Sequence, residues 1–207
     1  MRRVLLLACV GSLVLSACSP ETSGTASPVN TPSSAETSGT SADVPGPGVP
    51  EVESPIDTAR FASEPCSALT DSQVTEVFGG PVTPKPDLNA PAGPTCGWDP
   101  ADGSGASVHV IFSPPDDNLG LTGVYRARGT NYKLFEPLAP IDGFPAVVYG
   151  TSDLRSQGVC SVAIGTSDHA TVDLTVTQTR AKVGKADPCQ AAQTVAAKVI
   201  SSLKGGN

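Results

Sequence analysis

"HATVDLTVTQ", residues 169–178, alternates strictly: Val172, Leu174 and Val176 are apolar, while Thr171, Asp173, Thr175 and Thr177 are polar. A period of two belongs to a β-strand, whose successive side chains point to opposite faces. Strands of a parallel sheet are covered on both sides and read as continuous apolar runs. Alternation therefore predicts a half-buried strand of an antiparallel sheet.

The same period recurs upstream. In "ASVHVIF" (106–112), Val108, Val110 and Phe112 share one face, with Ser107, His109 and Ile111 on the other. "TCGWDP" (95–100) precedes it across "ADGSG" (101–105), giving two strands around a turn. Further strands are expected from Tyr132 to Leu138 and at "FPAVVYG" (144–150) and "GVCSVAIG" (158–165). "PVTPKPDLNAPAGP" (81–94) is too rich in proline for a strand or helix and is expected to be a surface loop.

Helical spacing brackets these strands. In "LTDSQVTEVFGG" (69–80), Thr70 is an N-cap, Gln73 its capping-box partner, and Leu69 can staple onto Val74. Gly79 and Gly80 stop the helix. "PPDDNLGLTGVYRARG" (114–129) predicts a second helix weakened by Gly120 and Gly123. Near the end, Asp187 caps and Pro188 fits the first turn of a helix with an apolar stripe at Ala192, Val195, Ala196, Val199 and Leu203. The order helix, two strands, helix, four strands, helix defines an α+β domain, one antiparallel sheet with helices packed mainly on one face.

The chain begins Met1-Arg2-Arg3, followed by an apolar run to Ala17 too short for a bilayer span of about 20 residues. Leu15-Ser16-Ala17-Cys18 resembles a bacterial lipobox, which is cut before its cysteine and lipidated on the thiol. Residues 1–17 are thus a lipoprotein signal peptide, and Cys18 is an acylated tether point. Two acyl chains anchor stably where one does not. Residues 18–60 carry the lipidated cysteine and a Ser/Thr/Pro/Gly-rich tether that buries too little to fold. Residues 61–207 form the folded domain, of normal size for one core. It holds Cys66, Cys96, Cys160 and Cys189, an even number in an exported chain. Three pairings are possible. Cys66–Cys96 and Cys160–Cys189 are favoured because each joins neighbouring elements.

The formal charge of −7 becomes −9 once Arg2 and Arg3 leave with the signal. An acidic chain without clustered cations is not a nucleic-acid binder, and its membrane contact is expected through the lipid alone.

The series "CSALTDSQVTEVFGG", "CGW", "GFPAVVY", "CSVAIG" and "DPCQAAQTVAAKVISSL" is similar to a domain-of-unknown-function family of actinobacterial envelope lipoproteins, DUF3558-like, over about residues 61–203. The resemblance implies a disulfide-stabilised α+β domain outside the cytoplasmic membrane and no assigned activity. It also suggests a fold like Mog1/PsbP or a kinase sensor domain. It brings no catalytic residue.

No chemistry stands out from the residues themselves. His109 and His169 lack framing carboxylates at ligand spacing, so neither a metal nor a cofactor is expected. "DGSG" (102–105) satisfies neither a nucleophile elbow nor a calcium loop and reads as a hairpin turn. Asp116 and Asp117 suit a helix cap better than an acid/base pair. Trp98, two residues after Cys96, suits packing beside a disulfide better than sugar stacking. Tyr125, Arg126 and Arg128 could form a cationic aromatic patch on the second helix. The expected function is therefore non-catalytic: a domain that binds an envelope protein, a glycan or a small apolar ligand, anchored by lipid on the outer face of the cell membrane. The alternatives are an accessory or regulatory subunit of an envelope signalling or transport system, and an enzyme whose site assembles only in three dimensions.

Replacing Cys18 by Ser should abolish acylation and release the protein from the membrane fraction. Fractionation and intact mass of the exported product check this; an unmodified wild-type amino terminus contradicts it.

Overall fold

The computed structural model describes residues 43–101, 103–113 and 119–205. Seven strands form one antiparallel sheet: β1 Pro84–Asp87, β2 Thr95–Trp98, β3 Ser107–Phe112, β4 Leu134–Pro137, β5 Ala146–Gly150, β6 Val159–Ser167 and β7 Ala170–Thr177, in the spatial order β1-β2-β3-β7-β6-β5-β4. The strand that opened the sequence argument, β7, is the middle one. Four helices flank the sheet: α1 Ala59–Ser63, α2 Asp71–Phe78, α3 Leu121–Arg126 and α4 Pro188–Leu203. The α+β assignment holds, with the expected strands at six places and a seventh added.

The added strand corrects the expectation of a loop at 81–94. β1 pairs with β2 through Lys85 opposite Gly97 and Asp87 opposite Thr95. Pro84 and Pro86 alternate with them, so both missing N–H groups fall on the open side of an edge strand, where proline is tolerated. Proline content excludes a central strand, not an edge.

Registers carry the alternation across the sheet. Cys96, Val110, Leu174, Val162 and Val148 face one another along one row, and Trp98, Val108, Val176 and Cys160 along the next. All nine are buried. α4 lays its stripe on this face, where Ala192, Val195, Ala196, Val199 and Leu203 are buried with Ile200. Asp187 caps it by accepting from the Cys189 N–H, and Pro188 sits in the first turn.

α2 forms as its capping box predicts. Gln73 N–H donates to Thr70 Oγ1 at 3.3 Å, and Thr70 N–H donates to Gln73 Oε1 at 2.8 Å. Leu69 and Val74 join the same buried cluster, and Gly79 ends the helix in the left-handed region. Gln73 also couples α2 to α4, since its amide donates to the Lys198 carbonyl and its Oε1 accepts from Ser202 Oγ.

Both expected disulfides are present. Cys66–Cys96 joins a 3-10 turn, Pro65–Ala68, to β2, and Cys160–Cys189 joins β6 to the first turn of α4. Each fastens the helical layer to the sheet.

The opposite face carries α3, whose Leu121 packs with Val147 and Ala163. α3 is shorter than the sequence suggests and begins after Gly120, which has φ +49°. A Cβ there would meet the Asp168 carbonyl oxygen at 2.3 Å, so the close approach requires glycine. Asp116 and Asp117 lie outside the described residues, and the cap position they were expected to serve belongs to Gly120.

The domain boundary at Phe61 also needs correction. Between 43 and 58 the chain lies on the domain: Gly46 N–H donates to Thr122 Oγ1, Val52 N–H to Asp168 Oδ1, and Ile56 N–H to the Thr166 carbonyl. Val52 is buried, and Val49 and Ile56 pack beside the two clusters. Composition averaged over 18–60 hides these three aliphatic residues. The remainder of the expected tether, with Cys18, lies outside the described residues.

Each disulfide closes a loop of about 30 residues, worth roughly 3.6 kcal/mol in the chain-entropy model. Replacing Cys66 and Cys96 together by Ala should lower the melting temperature by roughly 10 °C. Calorimetry of the double variant checks this; an unchanged transition contradicts it.

Candidate functional site

A groove of about 610 Å³ opens where the end of α2, the first half of α4 and the ends of β3 and β7 converge. Val77 and Phe78 come from α2, Val108 and Val176 from the sheet, and Ala191 and Val195 from α4. Local sequence explains each contribution. Gly79 ends α2 directly after Val77 and Phe78, and Ala191 and Val195 lie in the first two turns of α4.

Polar groups stand at the rim and at one point of the wall. Lys198 pairs with Glu76 across α4 and α2. Lys182 and Lys185 come from the turn between β7 and α4, and among the described residues neither ammonium has an acidic partner. Gln178 is 6 % exposed, and its Oε1 is a buried oxygen with no hydrogen-bond partner. An unmet buried polar atom beside an apolar groove is unusual enough to mark a place where a ligand can contribute.

The residues singled out in the sequence are dispersed. Trp98 is 1 % exposed and belongs to the core. His109 faces the other side of the sheet, its Nε2 3.3 Å from Asp99 Oδ1, and Lys85 Nζ lies 3.6 Å from Asp99 Oδ2. Gly97 makes that arrangement possible, because a Cβ there would come within 2.9 Å of the His109 ring. His169 lies in the turn before β7, while His109 pairs with Thr175. Six residues of strand, about 20 Å, separate the two histidines, so they share no site. Among the described residues no three His, Cys, Asp or Glu side chains converge as metal ligands.

Asp102 lies outside the described residues, but β2 and β3 form the expected hairpin around it. The Tyr125–Arg126–Arg128 patch is only partly realised. Arg128 falls beyond the end of α3 and stacks on the Phe135 ring at 5.1 Å, and Tyr125 meets the same ring edge-on at 4.9 Å. Burial raises the Tyr125 phenol above its ordinary range. Sequence reasoning missed the groove altogether. One signal was available: Arg180, Lys182 and Lys185 crowd six residues of an otherwise acidic chain.

The fold and groove define a disulfide-stapled α+β domain with an apolar, lysine-rimmed cleft beside its carboxy-terminal helix. The chain belongs to the family described as protein of unknown function (DUF3558), whose model matches residues 13–202. That match spans Leu15–Cys18 as well as the folded domain. No curated protein and no solved structure matches the chain.

The Lys198–Glu76 pair is partly exposed, and such pairs contribute at most about 1 kcal/mol. Glu76→Gln should therefore shift the denaturation midpoint only slightly, and high salt should erase the difference. A loss of roughly 3 kcal/mol or more would make the pair a structural clamp instead.

Proposed function

We propose that this protein is a lipid-anchored, non-catalytic binding protein on the outer face of the cell membrane, and that the groove beside α4 takes an amphipathic molecule with an apolar tail and an anionic head. The groove carries the reading. Its volume lies within the range of small-ligand sites, and Val77, Phe78, Val108, Val176, Ala191 and Val195 give it an apolar floor inside a polar rim that carries Glu76 and Asp187 as well as the lysines. Charge selects the head group: Lys182 and Lys185 put two positive charges on the rim of a chain whose net charge is −7. The anchor rests on Leu15-Ser16-Ala17-Cys18 and on the Ser/Thr/Pro-rich stretch that follows. Among the described residues no helix is long and apolar enough to cross a membrane. A domain tethered close to lipid meets acyl-chain ligands at high local concentration.

The test is titration with a dansyl-labelled fatty acid. The folded domain should give saturable fluorescence enhancement at one site. Ala191→Trp, which fills the groove from the solvent side of α4, should weaken binding by about tenfold or more, and Lys182→Glu with Lys185→Glu should do the same. Absence of saturable binding, or affinity unchanged in a folded Ala191→Trp variant, overturns the reading.

A further inference from the structure

The second face of the sheet holds a different chemistry. Alternation in β7 sends Val172, Leu174 and Val176 into the main core and turns Asp173 the other way, on the middle strand of the sheet. Asp173 stands opposite Ile111 on β3 and Ala163 on β6, at the floor of a cleft of about 500 Å³ roofed by α3 and the turn after it. The roof is fixed by the glycine contact at Gly120 and by Leu121 on the sheet.

The chain has three tyrosines, and all of them lie on this side of the sheet. Tyr132 and Tyr149 line the cleft, their rings edge-to-face with centroids 4.8 Å apart. The Tyr149 hydroxyl hydrogen-bonds to the Asp173 carboxylate, and Thr171 Oγ1 donates to Asp173 Oδ2 at 3.0 Å. Ser113, Asn131 and His169 add to the polar lining. The Tyr149 and Thr171 hydroxyls are neutral partners of this carboxylate, and among the described residues no lysine or arginine forms an ion pair with it. Arg128, the nearest guanidinium in sequence to the roof, is engaged on Phe135.

Electrostatics follow from the geometry. Desolvation pushes the Asp173 carboxyl above its ordinary range, and its two hydrogen bonds only partly offset this. Burial, with the Asp173 charge beside it, drives the Tyr149 phenol well above its ordinary range, and Tyr132 rises for the same causes. A partly buried carboxylate held by neutral hydroxyls rejects anions and gains most from a cation. Aromatic rings beside it add an attraction for the same charge.

We infer that this cleft is a recognition site for a small organic ammonium ion, its charge on Asp173 and its carbon substituents against Tyr132 and Tyr149. The site is independent of the groove beside α4, which lies on the other face and selects the opposite charge. Binding requires ionised Asp173. Because the carboxyl is raised, affinity falls on acidification at a higher pH than an ordinary carboxylate would give, and release of the ligand takes up a proton. His169, Tyr132 and Tyr149 are the other titratable groups facing the cleft. Without ligand the sign is also fixed. The folded state holds the Asp173 proton more tightly than the unfolded state, so this group's contribution to stability declines as pH rises from the unfolded aspartate range through the raised folded value. Asp173→Asn should consequently melt no lower than wild type at neutral pH.

The experiment compares choline with dimethylbutanol, its uncharged carbon isostere, by calorimetric titration of the folded domain. Wild type should bind choline saturably and at least about tenfold more tightly than the isostere. Asp173→Asn should remove that preference, Tyr132→Leu should weaken choline several-fold, and acidification should weaken it in wild type. Equal binding of the two compounds, no saturable binding, or a charge preference that survives Asp173→Asn overturns the inference. Should Asp173→Asn fail to fold, Tyr132→Leu decides alone: unchanged choline affinity there overturns it. Fatty-acid binding in the groove is read separately, so failure of either site leaves the other standing.

Discussion

The strict alternation of β7 is the constraint on which the rest depends. As the middle strand of seven it must satisfy β3 on one side and β6 on the other, and its side chains must suit two different environments. Val172, Leu174 and Val176 face the core that α4 covers, and Thr171 and Asp173 line the cleft under α3. A slip of one residue would exchange these sets, placing Asp173 against α4 and three aliphatic side chains in the polar cleft. Register and function are thus one property of this strand. Ser161 Oγ, bonded to Thr175 Oγ1 at 2.8 Å, helps hold the register on the polar side.

A sheet with a defined register still needs its layers held together. Dispersion and apolar burial supply most of that between α4 and the sheet, but the helices before β1 are short. α1 has five residues and α2 eight, below the length at which helices are stable alone. Cross-links compensate. Cys66–Cys96 fixes the turn between α1 and α2 to β2, and Gln73 joins α2 to α4 through its side-chain amide. The groove beside α4 is lined by Val77 and Phe78 of α2 together with Lys182 and Lys185 from the turn before α4.

What the sequence discloses is what local physics controls. The capping box at Thr70 and Gln73, the Asp187 cap, the α4 stripe and the inward faces of β3 and β7 all depend on residues a few positions apart. The favoured disulfide pairing was legible for a related reason, since each bridge spans only about 30 residues, closing over α2 and β1 in one case and β7 in the other. Three features were hidden. Pro84–Asp87 becomes a strand because the edge position relaxes the rule against proline. The segment 43–58 packs on the domain through backbone N–H groups bonded to Thr122, Asp168 and Thr166, partners at least 76 residues away. Tyr132, Tyr149 and Asp173 meet only through pairings of β5 with β6 and β6 with β7. Neither Asp173 nor Gln178 carries any local mark of its surroundings; a polar residue in an alternating strand looks solvent-facing until the second layer is known.

The two faces give the domain two sites of opposite selectivity, an apolar groove rimmed by lysines and an aromatic cleft around a carboxylate. Both rest on β7 lying at the centre of the sheet, with α4 on one face and the cleft under α3 on the other. Residue-resolved amide hydrogen exchange tests that claim most directly. The N–H groups from Val172 to Val176 should exchange only through global unfolding, as slowly as any in the chain, while β1 and β4 at the edges exchange through local opening. Exchange of β7 as fast as the edge strands, or protection on alternate residues only, would contradict the account.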